Sequence, residues 1–142
     1  TITGGTMTNV VASECSVTVD IRMPDMETAE EVMAIVEGLE TVDPDCLIAV
    51  TGGIDRPPYD KFDGIAALFE HAKKVAAEIG FELQDLKTGG GSDGNFTGAL
   101  GIATLDGLGA DGHGAHSFDE YIYFSSLEER TKLMIGLMKT LE

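Results

Sequence analysis

Two kinds of periodicity divide this chain. Val17, Val19 and Ile21 alternate with Ser16, Thr18 and Asp20, the period of two that a strand with one buried face requires, and Pro24 stops it. Beyond the proline, Ala29, Val32, Met33, Val36 and Leu39 return every three or four residues, which predicts an amphipathic helix with its glutamates turned outward. Asp25 or Thr28 can cap that helix, the latter in a capping box with Glu31. Leu47 to Val50 reads as a short apolar strand, broken by Gly52, Gly53, Pro57 and Pro58.

The pattern changes near residue 60. Leu68, Phe69, Ala72, Val75, Ala76 and Ile79 predict a second helix, ended by Gly80 and followed by a strand at 81–83. After a glycine cluster at 89–94 come a short helical turn and a buried strand over 102–105. A last helix is capped by Ser125, with Glu128 three residues on, and lined inside by Leu127, Met134, Met138 and Leu141. The expected fold class is α/β: an α+β portion over 1–59, then a portion over 60–142 in which strands and helices alternate. The opening TITGGTMTN starts on Thr1 instead of Met and has no preceding turn, so it reads as the continuation of a longer chain.

Composition narrows the function. The 43% apolar content is enough for a packed core. Nine basic residues against twenty-five acidic ones give a net charge of −16, which repels phosphate backbones and excludes nucleic acid as a partner. No segment approaches the roughly 18 consecutive apolar residues of a membrane span. Arginine is scarce, so a site for a carboxylate-bearing ligand must draw on Arg22, Arg56 or Arg130. Cys15 and Cys46 lack CxxC spacing and are expected to be ordinary buried thiols, which fits a reducing, cytoplasmic compartment.

Three places can carry chemistry. His113 and His116 lie in GADGHGAHSFDEY, among glycines that allow close backbone approach, with Asp119 and Glu120 placed to orient a ligand imidazole. Either His can also be a plain loop residue, and one or two imidazoles cannot hold a catalytic zinc, which takes about three protein ligands. His71, within the second helix, reads as an exposed helix residue. The cluster TGGGSDGN contains the spacing GxGxxG, but Gly98 and Gly101 shorten the helix that a dinucleotide site needs. Its backbone N–H groups can form a nest for a carboxylate, or it can be a flexible connector. Arg56 is followed by Pro57 and Pro58, which hold its backbone extended and mount a planar fork for a carboxylate. It can equally be a surface ion-pair partner.

The segments GGTMTNVV, VTVDIRMP, TGGIDRPP, TGGGSDGNF and TLDGLGADGHGAHSFDEY, in this order, resemble the zinc aminoacylase and carboxypeptidase family. That group includes glutamate carboxypeptidase, acetylornithine deacetylase and succinyl-diaminopimelate desuccinylase. The resemblance implies a lid, or dimerisation, domain with a four-stranded sheet and two helices, inserted in an α/β catalytic domain. Residues 1–59 would be the second half of the lid, and 60–142 the C-terminal part of the catalytic domain.

By position, the resemblance makes His116 the last zinc ligand and leaves His113 where the family varies. Asn9 and Arg56 resemble groups that hold the substrate's carboxylate; Gly90, Gly91 and Ser92 resemble the loop lining the same pocket; Arg22 resembles a brace of the lid sheet. The implied activity is hydrolysis of an amide beside a free carboxylate, in an N-acyl amino acid or peptide, by water activated between two zinc ions and a glutamate base. The remaining ligands and that glutamate would lie upstream, so this chain alone is expected to be inactive. A homodimer formed through the lid is implied as well. The competing expectation is a non-catalytic dimerisation or binding module of the lid type.

Overall fold

A computed structural model describes residues 1–141. In chain order its elements are β1 (Ile2–Gly4), β2 (Cys15–Val17), α1 (Met26–Glu37), α2 (Asp63–Ile79), α3 (Gly94–Ala99), β3 (Gly112–His113), β4 (Tyr121–Ile122) and α4 (Phe124–Thr140). Both sheets are two-stranded and antiparallel, β1 with β2 and β3 with β4. The class is mixed α/β.

Each helix end has a local cause. Asp25, in extended backbone, accepts the Thr28 N–H at 2.8 Å, so Asp25 and not Thr28 caps α1. That bond from the Thr28 backbone holds the Asp25 carboxyl below its usual range. Helix α2 ends at Gly80, whose left-handed φ of 107° lets its N–H reach the Ala76 carbonyl at 2.9 Å.

The core lies between α2 and α4. Ala72, Val75 and Ala76 from α2 meet Leu133 and Leu137 from α4, and Ile79, Phe81, Leu83, Leu105 and Leu108 pack on its rim. Small residues let the helices approach: a Cβ built on Gly136 would stand 2.5 Å from Val75 Cγ1. His71 is on the same seam and meets Thr140, with Nε2 2.7 Å from Oγ1.

The inner stripe of α4 differs from the sequence expectation. It runs through Ser126, Leu133 and Leu137, whereas Leu127, Met134, Met138 and Leu141 are 37–71% exposed. Two polar residues conceal that stripe from a hydrophobicity pattern. Ser126 is buried because its hydroxyl donates to the Tyr123 carbonyl and accepts the Asp111 N–H, and Arg130 lies over the Phe81 ring at 5.7 Å. Ser125 does not cap α4 either: the N-cap is Tyr123, which makes no side-chain cap bond.

The expected strands at 47–50, 81–83 and 102–105 do not pair with another strand, and the one expected over 16–21 keeps only Ser16 and Val17 within β2. A strand needs a neighbour to take its N–H and C=O groups, and among the described residues none pairs with these segments. Over 17–21 and 47–50 the side chains are largely open, with Leu47 97% and Val19 65% exposed, whereas Phe81, Leu83 and Leu105 still pack on the rim of the core. Cys15 and Cys46 are also exposed free thiols, contrary to the buried pair expected, because both lie in or beside segments with nothing packed over them. Among the described residues no helix is long and apolar enough to cross a membrane.

Candidate functional site

The glycine run folds into a loop held by its own polar side chains. The Gly90 N–H donates to Thr88 Oγ1 at 2.9 Å, the Ser92 N–H to Asn95 Oδ1 at 2.9 Å, and the Gly94 N–H to Ser92 Oγ at 3.1 Å. Asn95 then turns its amide to the Pro57 carbonyl at 3.0 Å, tying the loop to the segment that carries Arg56. Asn95 was not singled out from the sequence. Its place three residues after Ser92, the span over which an Asx side chain closes on nearby backbone, was the available signal.

That tie brings two arginines to the loop. A Cβ on Gly91 would stand 3.0 Å from Arg56 Cδ and 3.7 Å from Arg22 Nη1, so only glycine fits between them without a shift. Arg22 Nη1 donates to the Gly89 carbonyl at 3.2 Å. Together Arg22, Arg56 and 89–91 line a cleft of about 500 Å³, with Val19, Ile21 and Ile54 also on its walls.

Each guanidinium in the cleft already has acidic company. Arg22 pairs with Asp20 at 2.7 Å. Arg56 donates through Nη1 to Asp55 at 3.0 Å and through Nη2 to Asp93 at 3.3 Å, with its face 5.6 Å from the Phe96 centroid. These carboxylates are 70–92% exposed, so the pairs are solvent-screened and weak.

The structure therefore gathers Arg56, Gly90 and Gly91 around one cleft, with Ser92 next along the loop. Asn9 is elsewhere: it occupies the turn between β1 and β2 and is exposed.

His116 lies in the connection between β3 and β4 with φ of 65°, a left-handed conformation uncommon outside glycine. The turn is held by the Ser117 N–H to the Gly114 carbonyl at 2.9 Å and by Ser117 Oγ, which accepts the Asp119 N–H at 3.2 Å. Glu120 accepts the backbone N–H of His116 at 3.4 Å, so it braces the main chain rather than the imidazole. His113 instead joins Tyr121 and Tyr123 in an aromatic cluster, with ring centroids 5.5–6.0 Å apart.

A zinc site needs about three protein donors that converge. Among the described residues no group of three or more His, Cys, Asp or Glu side chains converges in that way. His116 presents one exposed imidazole on a strained turn. The described residues by themselves do not make up a metal site.

The chain matches the profile of peptidase family M20/M25/M40 over residues 21–140 and that of a peptidase dimerisation domain over residues 1–40. It is similar to carboxypeptidase G2 of Pseudomonas sp. (strain RS-16), with 26% identity over 143 aligned positions. The alignment covers 96% of this chain and 34% of that protein, so the chain spans about a third of the relative's length. No solved structure matches it.

Proposed function

This chain belongs to peptidase family M20/M25/M40, and from that premise we propose that it supplies the carboxylate-recognising part of a zinc-dependent amide hydrolase that is longer than these residues. The substrate class is an N-acyl amino acid or peptide with a free carboxylate beside the scissile amide. The carrying observation is the cleft in which Arg56 lies against Gly91 on a loop tied to Pro57.

Within that reading, Arg56 holds the substrate's carboxylate and fixes the amide relative to the reacting groups. Gly90, Gly91 and Ser92 shape the wall beside it, and Asn9, which lies away from the cleft in this structure, is assigned to the same carboxylate in the longer protein. His116 is the one zinc ligand assigned here, out of a set for two expected ions. By itself the chain brings too few donors to hydrolyse anything. Residues 1–59 are assigned to the lid and 60–142 to the catalytic domain. The two exposed thiols suit a reducing cytoplasm.

The test compares an N-acyl amino acid with its carboxyamide as substrates for the longer protein that contains this chain. Faster hydrolysis of the acid, abolished by zinc chelation, supports the reading. Equal rates on both would remove the carboxylate from it.

A second reading has its own support in the match to a peptidase dimerisation domain at residues 1–40. In it the hairpin and α1 mediate homodimerisation without catalysis. Analytical ultracentrifugation together with the activity assay separates the two: a dimer without turnover in the longer protein favours the second.

A further inference from the structure

We propose that Asp93 is a specificity-determining residue, because its carboxylate occupies Arg56 and must be displaced before a substrate carboxylate can bind. This rests on the reading of Arg56 as the carboxylate-binding group.

Asp93 is at the N-cap position of α3, where an aspartate ordinarily accepts a backbone N–H of the first turn. Here it makes no such bond. Its backbone is in the right-handed helical region, with φ of −69° and ψ of −19°, and the side chain turns instead to a guanidinium 37 residues away. An aspartate that forgoes its local acceptor role has a partner elsewhere in the fold, and that partner is Arg56 Nη2.

Arg56 has other contacts as well. Asp55, its chain neighbour, takes Nη1 at 3.0 Å, Phe96 lies under the guanidinium plane, and the prolines that follow hold the backbone. Of the two ion pairs the one at Nη2 is the longer, 3.3 Å against 3.0 Å, and it is the arm that faces the glycine loop. The Asp93 contact is 3.3 Å, longer than the roughly 2.7–2.9 Å of a strong charge-assisted bond, and its side chain is 92% exposed. It is a weak hold that a better-placed carboxylate can displace. Until then, two carboxylates around one guanidinium repel any anion that cannot replace one of them. A ligand with a carboxylate set by other contacts in the cleft competes successfully, and a free small anion does not.

The test is a titration of the longer protein that contains this chain with N-acetylglutamate, read from the backbone amide shifts of Gly90 and Gly91 by NMR. Wild type, Asp93→Asn, Asp93→Ser and Arg56→Ala are compared. Serine is included because it is neutral and can also cap α3, so a folding defect in one variant does not decide the result. The expected outcome is loss of binding in Arg56→Ala and binding about two- to fivefold tighter in both Asp93 variants, the scale of an exposed ion pair. Equal or weaker binding in both Asp93 variants, with binding still lost in Arg56→Ala, overturns the proposal and leaves the role of Arg56 standing. Unchanged binding in Arg56→Ala, or no binding by any of the four, removes the carboxylate reading of Arg56 and the proposal with it.

Discussion

Val75 and Gly136 are in contact across the α2–α4 seam so closely that a single added methyl has no room: it would stand 2.5 Å from Val75 Cγ1. Glycine inside a helix ordinarily costs about 1 kcal/mol against alanine, so Gly136→Ala should stabilise an isolated α4. In the folded chain the sign reverses. Val75 is buried and β-branched, so its methyl cannot swing aside. Overpacking of this kind costs about 1–3 kcal/mol, and we expect Gly136→Ala to lower stability in urea unfolding. Val75→Ala in the same chain should recover part of that loss. Additive effects of the two changes would mean that the helices do not meet at this pair.

Acid should loosen the start of α1. The Thr28 N–H bond lowers the Asp25 carboxyl from its ordinary 3.8, so the charged cap stabilises the helix above that value and is lost as pH falls through the lowered one. Amide exchange over residues 26–29 should therefore quicken only at the acid end. Asp25→Asn keeps an acceptor but cannot titrate, so its exchange should stay level over the same range, while Asp25→Ala should be frayed at every pH. If the carboxyl titrates at or above its ordinary value in an NMR series, the cap is absent.

How much could be read beforehand depended on how local the cause was. Helices α1 and α2 were legible because spacing, Asp25 and Gly80 all lie within a few residues of what they control. The stripe of α4 was misread since Ser126 and Arg130, polar by type, are held inward by the Tyr123 carbonyl and the Phe81 ring. The strands over 47–50 and 102–105 failed for another reason: pairing is decided by a neighbour, which no short run of apolar residues specifies. Within the candidate site, Arg56 and the glycine loop were each visible as motifs. Their meeting, and the contacts of Arg56 with Asp93 and Arg22 with Gly89, span 37 and 67 residues, and periodicity carries no such information.

The two histidines of the β3–β4 hairpin should behave differently in the longer protein. His113 is packed against Tyr121 and Tyr123, whereas His116 is exposed on a strained turn beside Glu120. His116→Ala should lower zinc content from about two ions to about one and turnover with it. His113→Ala should leave both near the wild-type level. Full zinc occupancy without His116, measured by plasma emission spectroscopy, would end its assignment as a ligand.

Arg56 is the most discriminating position, because its two readings differ in what they predict for substrates. As a carboxylate-binding group it contributes a charge-assisted hydrogen bond of roughly 1.5–3 kcal/mol, so Arg56→Ala in the longer protein should lower kcat/KM on an N-acyl amino acid by about tenfold to a hundredfold. The carboxyamide analogue, which has no charge to lose, should be affected far less. Arg56→Lys keeps the cation but lacks the planar pair of donors, and should recover only part of the loss. As a mere partner of Asp55 and Asp93 it would act otherwise. Both carboxylates are largely exposed, so removing the guanidinium would cost at most about 1 kcal/mol of stability and leave the ratio of acid to amide unchanged. The ratio of the two kcat/KM values therefore decides between them. Equal losses on acid and amide would return Arg56 to the surface, as a brace between the segment before Pro57 and the glycine loop.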